Sequence, residues 1–104
     1  MTDIDYPILE RYMRNYHSMV DTYKNESHDM EELQYLNLES IVKGITEVYN
    51  DCDIKIQQII KLTWWDGNNY TENVIADVIG ISELTLRHAK EVILKRVAKA
   101  VEYV

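Results

Sequence analysis

Apolar side chains return at three- and four-residue steps through almost the whole chain, and that regularity rules out most folds. Leu9, Tyr12, Met13, Tyr16, Met19, Val20 and Tyr23 form one run; Met30, Leu33, Leu36, Leu38, Ile41, Val42, Ile45, Val48 and Tyr49 form a second. A helix of 3.6 residues per turn gathers such positions on one face, whereas a half-buried strand alternates every second residue. The breakers agree. One proline (Pro7) and three glycines (Gly44, Gly67, Gly80) are too few for a turn-rich β fold. An all-α protein of about five helices is expected.

The first helix is expected to start at Pro7, with Asp5 or Tyr6 just before it, and to run unbroken for about four turns. "KNESHD" (24–29) reads as a loop, with Ser27 a possible cap for a second helix over Asp29–Asn50. The spacing slips near Asn37, which predicts a kink or break there. Asp51 or Asp53 can cap the third helix, "IKIQQIIKLTWW", which buries Ile56, Ile59, Ile60 and one tryptophan. "DGNN" (66–69) is a turn, because Gly and Asn tolerate positive φ. Thr71 caps a short fourth helix, and Ser82 caps a fifth that can extend to the C-terminus. Two regions follow: an acidic N-terminal helical hairpin over 1–53 and a second unit over 54–104.

Charge divides along the same line. The 104 residues carry a net charge of −7. Residues 1–53 hold 12 acids against 4 bases, and residues 54–104 hold 6 against 7. From Ser82 onward 5 bases (Arg87, Lys90, Lys95, Arg96, Lys99) face 3 acids. Surfaces that lie more than about 8–10 Å apart in physiological salt scarcely feel each other. An acidic half and a locally basic helix are therefore expected to be separate surfaces with separate jobs.

Several classes are excluded by what the chain lacks. "MTDIDYPILERY" has neither the basic start nor the apolar run of a signal peptide, and no apolar stretch approaches the roughly 20 residues of a membrane span. Cys52 is alone, which fits a reducing cytosol, so a cytoplasmic, non-membrane protein is expected. Cys52, His17, His28 and His88 lack metal-ligand spacing. No nucleophile–base set, carboxylate pair or phosphate-binding glycine loop stands out, so neither an enzyme, a cofactor nor a small-molecule substrate is expected.

The most informative stretch is "TENVIADVIGISELTLRHAKEVILKRVAKAV". Val74, Ile75, Val78 and Ile79 are expected to point inward, and Ala76 is small where two helices cross. Gly80 ends the helix in a left-handed turn, and Ile81 plugs that turn. Ser82 restarts the helix, with Leu86, Ala89 and Ile93 facing the core. Together they make a helix-turn-helix whose second helix can enter a major groove of double-stranded DNA. Its exposed front is then Ser82, Glu83, Leu84, Thr85, Arg87, His88 and Glu91. Arg87 suits a guanine edge, His88 a base or phosphate, Leu84 and Thr85 a thymine methyl, and Glu83 a cytosine amino group. Thr71, Lys90 and Lys95, with Arg96 and Lys99 further along, are candidates for the DNA backbone.

On these residues the chain resembles the region-4 domain of bacterial sigma factors. It is more similar still to the sigma-like C-terminal half of small phage late-gene activators of the RinA/ArpU type. The shared pattern is Trp64-Trp65, a short turn, Thr71, Gly80-Ile81-Ser82, Leu86-Arg87-His88 and a long basic helix, covering about residues 54–98. "DYP" (5–7) opening a helix is also similar to that phage family. The resemblance implies a regulator that binds a late promoter and acts through the host RNA polymerase in the bacterial cytoplasm.

Other readings of the same residues stay open. A glycine-turned helical hairpin also occurs in bundles that bind only other proteins. The tryptophans suit core as well as base stacking. The Leu9, Tyr12, Tyr16, Met19, Tyr23 stripe suits either core or a coiled-coil-like seam between two copies. A homodimer through that seam is expected, because one head reads few base pairs and two would sit on half-sites about 34 Å apart.

Overall fold

In the computed structural model, which describes residues 5–25 and 31–101, the chain opens on a capped helix. The Asp5 carboxylate accepts from the Ile8 N–H at 3.2 Å, and Pro7 sits in the first turn of α1 (Tyr6–Arg14). Asn15 then interrupts the expected continuous helix, at φ −92° and ψ 4°, before α2 (Tyr16–Asn25). Helical hydrogen bonds continue across it, Asn15 N–H to Arg11 carbonyl and Met19 N–H to Asn15 carbonyl, so the break is a bend. The bend lets α1 pack against the last helix while α2 packs against α3. Ser27 and the expected helix start at Asp29 lie outside the described residues.

Helix α3 (Glu32–Asp51) runs through Asn37 without the predicted break. Leu33 and Leu36 are 69% and 50% exposed, so the slipped spacing marks a stretch that does not face the core. Gly44 is where α3 meets the end of the last helix. A Cβ placed there would lie 3.0 Å from the Ala100 carbonyl carbon and oxygen.

Asp53 caps α4 (Ile54–Ile60) by accepting from the Ile56 N–H at 2.9 Å. The chain then widens into a π turn over Lys61–Trp65, closed by the Asp66 N–H on the Lys61 carbonyl at 2.7 Å. The wider turn reduces the angle between successive side chains, so both adjacent indoles reach α1. The Trp64 Nε1 donates to Glu10 at 3.4 Å and the Trp65 Nε1 to the Met13 carbonyl at 3.0 Å. Trp64 is buried; Trp65 is half-buried among Tyr16, His17 and Tyr49. After the turn, where Asn69 takes φ +52°, come α5 (Glu72–Ile79) and α6 (Glu83–Ala100). The fold is all-α, with six helices and no strand among the described residues. No helix among them is long and apolar enough to cross a membrane.

One core joins both halves. Leu9 and Met13 of α1 and Ile45 and Val48 of α3 belong to the same cluster as Ile59, Ile60, Trp64, Ile75, Leu86, Ile93 and Val97. Buried residues from both sides of the 53/54 boundary share this cluster. The stripe read as a seam between copies is taken up inside the chain as well. Leu9 is fully buried, and Tyr12, Tyr16 and Met19 pack on the core. Tyr16 stacks on Trp65 with centroids 5.0 Å apart and hydrogen-bonds Thr46. Tyr23 donates to Glu39 on α3 at 2.9 Å. The bend at Asn15 lets both α1 and α2 lay this stripe against the rest of the chain.

Candidate nucleic-acid interface

Two capped helices and a left-handed glycine build the candidate surface. Thr71 accepts from the Val74 N–H at the start of α5, and Ser82 accepts from the Thr85 N–H at the start of α6. Between them Gly80 takes φ +85°, ψ 37°. The Ala76 carbonyl receives the N–H of Gly80 at 2.8 Å and of Ile81 at 3.0 Å. This closure ends α5 and lets α6 restart within three residues. A Cβ on Gly80 would touch nothing within 4 Å, so the backbone torsion alone selects glycine.

Packing below the turn follows the sequence reading in part. Ile75, Ala76, Leu86 and Ile93 are buried, and Ile79, Ile81 and Ala89 are half-buried against the core. Val74 and Val78 do not point inward; they are 40% and 68% exposed. An eight-residue helix has one inward face, and Ile75, Ala76 and Ile79 fill it. Val74 and Val78 lie one turn apart on another face.

The front of α6 is open: Ser82, Glu83, Leu84, Thr85, Arg87, His88, Glu91 and Lys95 are exposed, as is Thr71 on α5, and Lys90 is half-buried. Leu84 is 74% exposed. Thr71 and Ser82 spend acceptor capacity on the helix caps, and the Ser82 hydroxyl also donates to Thr85 at 2.8 Å. Their first role is to set the helix ends.

The cations are not free. Arg87 Nε lies 3.0 Å from one oxygen of Glu72, and Lys90 Nζ lies 3.2 Å from the other. Lys95 pairs with Glu91 at 3.1 Å, one turn away on α6. The Arg87 guanidinium, helped by Lys90, holds the Glu72 carboxyl below its ordinary range, against the opposing effect of burial. Glu72 in turn raises Arg87, and Glu91 raises Lys95. Sequence reading missed Glu72 because it precedes its partners by 15 and 18 residues, a spacing that no single helix encodes. The Glu91–Lys95 pair, at i and i+4, was legible.

Separation of the acidic and basic surfaces is therefore less complete than charge counting suggests. A cleft of about 370 Å³ between α1, α5 and α6 is lined by Tyr6, Glu10, Glu72, Arg87, Lys90, Glu91 and Leu94. Arg96 and Lys99 line another cleft with Glu47 and Asp51 of α3, and Arg96 Nη1 lies 3.6 Å from Cys52 Sγ. Acids from the first half thus reach the basic helix on both sides. Exposed ion pairs of this kind contribute little stability, about 0–1 kcal/mol.

Comparison with protein families, with curated proteins and with solved structures gives no match to this chain.

Proposed function

We propose that the chain is a sequence-specific DNA-binding transcriptional regulator whose α5, Gly80 turn and α6 act as a helix-turn-helix of the sigma region-4 kind. The observation that carries this reading is the pairing of the left-handed Gly80 closure with an unobstructed α6 front. Helix α6 enters the major groove. Arg87 forks onto a guanine, Leu84 and Thr85 meet thymine methyls, and Glu83 accepts from a cytosine amino group. His88 serves the backbone, as does Lys95 once phosphate replaces Glu91, while Lys90 stays on Glu72. Within this class the RinA/ArpU-like pattern favours a phage late-gene activator working with the host RNA polymerase. Pairing of two copies on adjacent half-sites belongs to the same proposal.

A second reading has its own support. Val74 and Val78 of α5 and Leu84 of α6 are exposed apolar residues, and the front cations are ion-paired, which suits a protein partner. Selection from random duplex DNA, followed by gel shifts at two salt concentrations, separates the two. The DNA reading expects an enriched site and affinity that falls with salt. Arg87→Ala should then weaken specific binding about tenfold to a hundredfold while circular dichroism stays native. No enriched sequence would leave the protein-docking reading.

A further inference from the structure

We propose that Glu72 is a positioning residue for base readout, holding Arg87 in the orientation that presents its guanidinium end to a guanine. The proposal rests on the DNA-binding reading of α6.

Glu72 stands on the first turn of α5, and its two carboxylate oxygens are divided between two α6 side chains. Lys90, with its side chain only 21% exposed, fixes one oxygen from the half-buried side of the helix. The other oxygen takes Arg87 Nε, whose side chain is 61% exposed. Lys90 therefore anchors Glu72, and Glu72 anchors Arg87. Only the Nε of the guanidinium is engaged, and both terminal amino groups lack a protein partner among the described residues. Those two groups form the planar fork that matches O6 and N7 of guanine. A long side chain loses much rotamer freedom when it docks, and a buttress that restricts it beforehand reduces that loss. The carboxylate also penalises any other base: an arginine tied at Nε cannot swing away to a nearby phosphate without breaking the pair. Glu72 thus sharpens discrimination and weakens non-specific binding.

A mere competitor for the arginine would behave differently, and the selected site distinguishes the two. The experiment compares wild type, Glu72→Ala, Glu72→Gln, Arg87→Ala and the Glu72→Ala/Arg87→Ala pair on duplexes with each base at every position. Glu72→Gln keeps the shape of the side chain should Glu72→Ala fold poorly. Each Glu72 variant is expected to lose about tenfold of guanine preference at one position, the position that Arg87→Ala also erases. Affinity for random duplex should hold or rise, and the double variant should lose no more preference than Arg87→Ala alone. If Arg87→Ala erases a preference that both Glu72 variants retain, the positioning role is wrong while the DNA reading stands. Tighter binding by the Glu72 variants with the preference intact would make Glu72 a competitor and also overturn the proposal. A wild-type protein that enriches no sequence overturns both.

Discussion

Two glycines carry opposite lessons at the scale of single residues. Gly80 has open space around its Cα but a φ of +85°, so any other residue pays in backbone strain alone. Gly80→Val should destabilise the protein by roughly 1–2 kcal/mol and misaim α6, lowering the thermal midpoint and DNA binding together. A variant with native melting and native binding would remove the turn from the proposed mechanism. Gly44 has an ordinary helical torsion but no room. Its Cβ would meet Ala100 backbone atoms at 3.0 Å as well as a Val101 methyl. Gly44→Ala improves helix propensity by about 1 kcal/mol, yet it must push α3 and α6 apart. Net destabilisation of about 1–2 kcal/mol in a urea titration is expected, since overpacking outweighs propensity. Gly80 was legible in the sequence because a glycine at a helix end followed by Ile-Ser is a local signal. Gly44 was not, because its partner lies more than fifty residues away.

At the scale of elements, side-chain acids tie helices together and give the fold a pH dependence of known sign. Tyr23 on α2 donates to Glu39 on α3, and this hydrogen bond, followed by Lys43, holds the Glu39 carboxyl below its ordinary range. Glu72 is lowered likewise between α5 and α6. A carboxylate with a lowered folded pKa contributes stability above its unfolded value, near 4.5, and loses it as pH falls through the folded pKa. Tyr23 is raised from its ordinary value of 10.0, first by its hydrogen bond with Tyr35 and then by the one with Glu39, so its contribution is present below pH 10 and lost as pH rises further. Urea midpoints measured from pH 7 down to 3 should fall, and a Glu39→Gln/Glu72→Gln double variant should show a shallower decline over that window. An unchanged slope would mean these contacts do not persist in solution.

Considered as a whole molecule, the chain has one core to which both halves contribute. Leu9 and Met13 are buried in the cluster that also holds residues of α4, α5 and α6, and burying side chains of their size contributes about 1.5–3 kcal/mol each. A fragment of residues 54–104 should therefore lack a cooperative thermal transition by circular dichroism, while the full chain shows one. A fragment that melts cooperatively would restore the division into two units. Tyr16→Glu places a charge beside Trp65 and removes the hydrogen bond to Thr46. It should lower the melting temperature while leaving the mass by light scattering equal to that of wild type. A halved mass at native stability would instead return the stripe to an interface between copies.

The sequence by itself determined whatever depends on neighbours a few residues apart. Helical periodicity, the caps at Thr71 and Ser82, and the left-handed turn at Gly80 are set within one or two turns of backbone, whereas Asp5 over Tyr6 and Asp53 over Asp51 were choices the structure made. The exposed front of α6 was legible for the same reason, because Leu86, Ala89 and Ile93 fix which side faces in. Tertiary structure decided the rest. The same apolar spacing suits a core face or a docking seam, and only the bend at Asn15 and the approach of α6 turned the tyrosine stripe inward. Val74 and Val78 face outward because Ile75, Ala76 and Ile79 claim the single buried face of a short helix. Charge was the least legible property. Coulomb pairing depends on distance in space, and the fold set Glu72 against Arg87 and Lys90, and placed Glu47 and Asp51 in one cleft with Arg96 and Lys99, where counting along the chain had kept them apart.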